Sequence, residues 1–397
     1  MSQSLGLRIW LLRFARQHMP NWLRPTARRV RAYLRSSSKP IAHPSVPETR
    51  ASDAAEAAYD AADAAYDPAD AAYQGKLAAE RATFDSQINV HELPEIFHYW
   101  SNKFLRPVLE QYGFSNPDQF FAKYLAEAAQ ATQSGSARFL SIGSGNCDSE
   151  VRIAVLLRQA GRTDFTIECL ELSPPMLQRG REDALSQGVA QNLIFTAADF
   201  NRWRPSGQYD AVMANQSLHH VLALEHLFDA VKTALAPKGL FITSDMIGRN
   251  GHERWPEAKQ IVEEFWQELP VSYRYNLQLQ RQETQFQDWN CAQDGFEGIR
   301  AQDVLPELLK RFHCKLFIAF SNIIDPFIDR SFGHHFDANA AWDRDFVDRL
   351  HAYDEAALSQ GTLTPTHLMA VMCHEPSVLQ SPRNLLPERC VRRPQVR

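Results

Sequence analysis

The stretch FLSIGSGNCDSE, Phe139 to Glu150, constrains this chain more than any other. A short apolar run meets Gly143-Ser144-Gly145 and then a helix-forming segment. Glycines at such a junction let the backbone turn sharply and come close to a ligand, while the helix start offers backbone amides that have no partner within the helix. The runs ARFLSI, FTIECLEL, NLIFTA, YDAVMA and GLFITSDMI read as strands, with helices expected over about 147–160, 174–187 and 222–235. This alternation demands a mostly parallel sheet covered by helices on both faces. Two later runs, CKLFIAF (Cys314 to Phe320) and HLMAVMC (His367 to Cys373), have no ordinary crossover helix between them. They read as edge strands and bring the count to seven.

The rest of the chain is organised around that core. With 397 residues and 44% apolar side chains it can bury a full-sized core, which excludes a wholly disordered or fibrous protein. The net charge of −5 is uneven: the first 40 residues hold nine Lys and Arg and no acid, leaving −14 on the remainder. Residues 1–40 mix these cations with Trp10, Phe14, Trp22 and several leucines, the composition of an interfacial basic helical arm, broken at Pro20 and Pro25. A nucleic-acid-attracting tail, a transit peptide or an arm packed on the body fits the same composition. Residues 41–83 read as a linker with a seven-residue repeat (AYDAADA, AYDPADA), too poor in apolar residues to be more than a solvated spacer. A domain is expected over 84–375, with a core at 137–247, lid insertions at about 248–312 and 321–365, and a flexible tail at 376–397. The stripes Val262, Phe265, Trp266, Leu269 and Leu305, Leu308, Leu309, Phe312 have helical spacing and read as core. Six cysteines without a CxxC pair suggest a reducing compartment, and no apolar run approaches the roughly 20 residues of a membrane span. The expected location is the cytoplasm, with the arm on the inner face of the cell membrane.

The polar residues at the strand ends carry the chemistry. Glu171 ends the second strand, where an acid can accept hydrogen bonds from both hydroxyls of a ribose, and Asp199 follows the third. The order of glycine loop, LELSPPML, AADF and YDAVMANQSLHHV resembles the class I S-adenosylmethionine-dependent methyltransferases over about 137–247. That resemblance implies a Rossmann-like fold and S-adenosyl-L-methionine as cofactor. It places Gly143 and Gly145 along the methionine part, Glu171 on the ribose, Leu172 and Met176 about the adenine, Asp199 and Phe200 at the adenine edge, and Asn215 near the methyl group. Where the family usually has an acid this chain has Ser141, and where it often has a third glycine this chain has Cys147. Asp148 or Glu150 is expected to replace the missing acid. A nicotinamide-binding domain is the nearest rival, but Asp148 stands where a pyrophosphate would lie.

The flanks HELPEIFHYWSNK and RSFGHHFDANAAWDRDFVDRLHAYDEAALSQGTLTPTHLMAV are similar to methyltransferases encoded with bacterial surface-polysaccharide and glycan assembly genes. The implied acceptor is a sugar hydroxyl, which benefits from a general base. His219 and His334 are the candidates, each one of an adjacent pair (with His220 and His335) of which one imidazole at most is expected to face inward. Packing histidines explain the same residues, and no carboxylate stands at ligand spacing from them, so no metal is expected. Tyr273, Arg274, Tyr275, Trp289, Arg330, Phe332 and Trp342 in the insertions suit a sugar or a phosphate, or the packing of a lid. A small-metabolite or RNA acceptor keeps the same fold, although the −14 body argues against nucleic acid. A binding protein on a decayed methyltransferase fold is the alternative outside enzymology.

Overall fold

The glycine-bearing strand β1 (Ala137–Ile142) lies at the centre of the sheet in the computed structural model, which describes residues 68–85, 92–293, 295–382 and 385–392. The basic arm of residues 1–40 and the spacer as far as residue 67 lie outside the described residues. The first described element is helix α1 (Pro68–Asp85), so the reading of 68–83 as solvated spacer is corrected. The helix carries little apolar surface, but Leu77 is buried against Leu172 and Phe296, and that contact gives it a place on the body. Sequence reasoning missed it because one buried leucine among alanines gives no periodic signal.

Helix α2 (Glu95–Trp100) continues through a π turn (Ser101–Leu105) into α3 (Arg106–Glu110), and α4 (Pro117–Thr132) follows. Asn116 starts α4, its side chain accepting the Gln119 N–H ahead of Pro117, whose missing N–H costs nothing there. The remaining core elements are α5 (Asp148–Gln159), β2 (Phe165–Glu171), α6 (Pro174–Ser186), β3 (Leu193–Ala197), β4 (Tyr209–Asn215), α7 (Leu224–Ala234) and β5 (Leu235–Met246).

The first insertion holds α8 (Pro256–Trp266), a short hairpin of β6 (Tyr275–Asn276) and β7 (Arg281–Gln282), and α9 (Ala301–Leu309). After β8 (His313–Phe320) come α10 (Asp325–Ile328), α11 (Ala341–Gln360), β9 (His367–Cys373) and α12 (Pro387–Cys390).

The seven-stranded sheet runs β3-β2-β1-β4-β5-β9-β8; β1 to β5 are parallel, and β9 is antiparallel to both its neighbours. Only β8 is an edge on that side; β9 is interior, because the connection through α11 returns the chain between β5 and β8. Alternate residues face opposite layers. Phe139, Ile167, Met213 and Ile242 pack with Phe120 and Leu125 of α4, Val151 of α5 and Leu177 of α6. Leu140, Leu170, Val212 and Phe241 pack with Leu227 and Phe228 of α7 and Leu305 and Leu308 of α9. Each such side chain contributes about 1.5–3 kcal/mol on leaving water.

Helix α9 therefore covers the sheet, which shortens the first lid insertion from the expected 248–312. A third cluster packs Trp100 of α2 with Val262, Trp266, Phe327, Phe332 and Phe346 of the insertions. Residues 376–392 depart from a flexible tail: the Phe317 N–H donates to the Gln380 carbonyl, Cys390 is buried, and Arg392 pairs with Glu257. No helix among the described residues is long and apolar enough to cross a membrane.

Candidate active site

The turn after β1 is shaped by two glycines. Gly143 has φ +67°, and a Cβ there would lie 2.5 Å from the Cβ of Ser217; Gly145 has φ +55°. Cys147, where the family often has glycine, is also left-handed at φ 58°, so the backbone shape is kept with a side chain that packs on Gly180 of α6. The Gly143 N–H donates to the Leu170 carbonyl at 2.8 Å, which ties the loop to β2.

Two buried carboxylates meet this loop. Glu171, at the tip of β2, accepts the N–H groups of Gly145 (2.8 Å) and Ser173 (2.9 Å). Burial pushes its carboxyl up, opposed by those amides and by His220. Glu150, in the first turn of α5, accepts the Ser141 hydroxyl at 2.6 Å, while its other oxygen is buried without a partner. Burial pushes Glu150 up to about 7. Of the two acids expected to replace the one missing at Ser141, Glu150 is the one whose carboxylate stands against that hydroxyl. Its orphaned oxygen is suited to a cationic donor such as an α-ammonium group. The residues present thus fit the methionine end of the expected cofactor.

The adenine-side residues are covered. Leu172 and Met176 are buried, and Leu172 packs with Leu77 and Phe296. Asp199 accepts the Tyr73 hydroxyl at 2.7 Å and the Asn201 N–H at 2.9 Å, and the Tyr73 ring lies 5.7 Å from that of Phe296. Helix α1 therefore brings a hydroxyl to the oxygen expected to read an adenine amine. Phe200 is half-buried against the sheet layer, and Asn215 donates to the Ser149 hydroxyl at 3.3 Å.

The β4 side is assembled from distant segments. Ser217 donates to the Ile142 carbonyl at 2.7 Å, so the turn after β4 abuts the glycine loop. That turn, Leu218–His220, is a 3-10 segment, and both imidazoles face inward, 4.4 Å apart. The expectation of one inward ring assumed a helix and is corrected. His219 Nδ1 lies 2.7 Å from Asp245 and its Nε2 3.4 Å from Glu297; His220 Nδ1 lies 2.7 Å from Glu80 and its Nε2 3.3 Å from the other Glu297 oxygen. His252 Nε2 lies 2.6 Å from Glu297. Burial alone would lower His219, but Asp245 first and then Glu297 outweigh it and push it up to about 10. Burial also acts against the charged Glu297, yet His220, His219 and His252 hold it well below the usual carboxylate range.

His334 is exposed on the turn Gly333–His335 among the insertion aromatics, and the Glu297 cluster is built without it. Sequence reasoning missed Tyr73, Glu80, His252 and Glu297. The histidine pair was visible, but the carboxylates that organise it come from α1 and the first insertion.

Residues 139–239 match a family model described as a methyltransferase domain. The chain carries a methyltransferase domain on this mostly parallel sheet. No curated protein matches this chain. Among solved structures it is similar to an S-adenosylmethionine-dependent methyltransferase from Clostridium acetobutylicum ATCC 824, at 16% identity and TM-score 0.28, covering 39% of this chain and 62% of that one, under two thirds of its length. It is also similar to the O-methyltransferase of a trans-AT PKS multienzyme from Brevibacillus brevis in complex with S-adenosyl-L-homocysteine, at 11% identity and TM-score 0.38, covering 77% of this chain and 88% of that one. A third is geranyl diphosphate C-methyltransferase from Streptomyces coelicolor A3(2) in complex with Mg2+, geranyl diphosphate and S-adenosyl-L-homocysteine, at 12% identity and TM-score 0.40, covering 76% and 98%. The methyltransferase domain spans β1 to the start of β5, the half of the sheet that carries the glycine loop, Glu171 and the His219 turn.

Proposed function

We propose that this chain transfers a methyl group from S-adenosylmethionine to a hydroxyl oxygen of a sugar, within a glycan or a nucleotide- or lipid-linked saccharide. The observation that carries the reading is the contact between Gly143 and Ser217: the loop fitted to the cofactor touches the turn that presents His219 and His220. The cofactor supplies a methyl group already activated on a sulfonium, so the protein's task is alignment, exclusion of water and management of the hydroxyl proton. Gly143, Gly145, Glu150 and Glu171 hold the cofactor in this reading, with Asp199 and Phe200 at its adenine and Asn215 near its methyl group. His219, His220 and Glu297 face the acceptor in this reading, with Nδ1 of His219 held by Asp245.

A polar acceptor is supported by the charged groups on that side, among them the 39% exposed Glu297 side chain, which an apolar substrate would strip of water. Trp289 supports a sugar: it is 42% exposed, and its neighbour Cys291 is tied to the His252 turn through the Gly251 carbonyl, so its ring is free to stack on a pyranose face. Incubation with methyl-labelled S-adenosylmethionine and a panel of nucleotide sugars and lipid-linked saccharides should place label on oxygen. Label on a carbon or nitrogen acceptor would overturn the O-methyl reading. The nine cations and interleaved aromatics of residues 1–40 support attachment to an anionic membrane face. The full chain should sediment with phosphatidylserine vesicles and not with phosphatidylcholine ones.

A further inference from the structure

We infer that His219, His220 and Glu297 form a binding site for one divalent transition-metal ion, with open coordination positions toward the acceptor. One ligand atom from each residue lies within 4.8 Å of the others. The Nε2 atoms of the two histidines stand 3.4 and 3.3 Å from the two oxygens of Glu297. Two ligands on a tetrahedral ion at about 2.0–2.1 Å are separated by roughly 3.3 Å, so the groups already stand near the edges of such a polyhedron.

Each ligand is also oriented by a partner of its own. Asp245, fully buried, holds Nδ1 of His219; Glu80 of α1 holds Nδ1 of His220; His252 holds Glu297. Histidine ligands need this arrangement, since a carboxylate on one ring nitrogen fixes the tautomer and directs the other at the metal. Both Nε2 atoms are thereby turned to the same carboxylate, one to each of its oxygens. Two imidazoles and a carboxylate suit Zn2+ or Fe2+ more than Mg2+ or Ca2+, which prefer all-oxygen sites. Three protein ligands leave coordination open, as in catalytic sites, and the 39% exposure of the Glu297 side chain gives a path for entry.

Metal binding stands on the geometry alone; that the open position takes the acceptor oxygen rests on the methyl-transfer reading above.

The test uses the full chain stripped with a chelator and titrated with Zn2+ and with Co2+. One equivalent should bind, and Co2+ should gain the visible absorption of a low-symmetry nitrogen and oxygen site. Glu297→Gln and His220→Asn should each weaken binding about 100-fold or more, and Glu80→Gln about 10- to 100-fold. S-adenosylhomocysteine binding by the same variants serves as the check on folding. Absence of stoichiometric metal in the wild type, or equal affinity in Glu297→Gln and His220→Asn, would overturn the site. Loss of S-adenosylhomocysteine binding in a wild type that still takes one metal would count against the cofactor reading and leave the metal site standing.

Discussion

The two halves of the sheet's carboxyl edge are built on opposite plans. On the β1–β2 side, Gly143, Gly145, Glu150 and Glu171 belong to one strand-helix-strand unit, and the bond from Gly145 to Glu171 spans 26 residues. On the β4–β5 side, His220 meets Glu80 across 140 residues, and Glu80 also holds the Phe296 N–H across 216. The cofactor half is a local motif, whereas the acceptor half is an assembly of α1, the β4 turn, the end of β5 and an insertion. A local site can be kept while the assembled one is exchanged, which is how one fold comes to serve different acceptors.

The largest effect should come from the anchor of the assembled half. Asp245 is fully buried and accepts the N–H groups of Ser217, Leu218 and Met246 as well as the His219 ring. Asp245→Ala leaves those donors without an acceptor and takes the nearer carboxylate from the buried His219 ring, and should cost about 4 kcal/mol in urea unfolding. A loss below about 1 kcal/mol would mean that the turn after β4 does not depend on it.

On the local side, Glu150 makes stability depend on pH. The unfolded carboxyl gives up its proton near its ordinary value of 4.5, while the folded one keeps it to about 7. Between these values the folded state binds more protons, so its contribution is fully present at the acid end and lost as pH rises through about 7. The loss amounts to about 3 kcal/mol in the cofactor-free protein. Glu150→Gln should flatten that slope in denaturant titrations at several pH values; an unchanged slope would assign it elsewhere.

Glu171→Ala should weaken S-adenosylhomocysteine binding by about 2 kcal/mol, roughly 30-fold, measured by competition. Equal weakening by Glu80→Ala would break the separation of the halves. The smallest effect concerns the contact that bridges them. Tyr73→Phe frees the Asp199 oxygen that now accepts the Tyr73 hydroxyl, and should tighten cofactor binding by about 1 kcal/mol. Weaker binding would make Tyr73 part of the cofactor site instead.

The same division explains what could be read from the sequence. Strand β9 was expected over His367–Cys373 and is found there, and helices α5, α6 and α7 fall within two residues of their expected bounds, because apolar period and turn residues are local properties. The glycine loop and Glu171 were legible for that reason. Ser141 read as a lost acid with Asp148 or Glu150 as its replacement; that Glu150 is the one reaching back to it from the next helix follows only from the turn geometry. His219 and His220 were seen without their purpose, since neither Glu80 nor Glu297 has a neighbour in sequence that marks it. Helix α1 was missed outright: its place depends on Leu77, Tyr73 and Glu80 meeting partners on the body, and its composition alone describes a spacer.

Calorimetric titration of the full chain with S-adenosylmethionine tests the central claim most directly. A single site per chain with micromolar affinity, weakened by Glu171→Ala, is the predicted result; no detectable binding by the wild-type protein would contradict it.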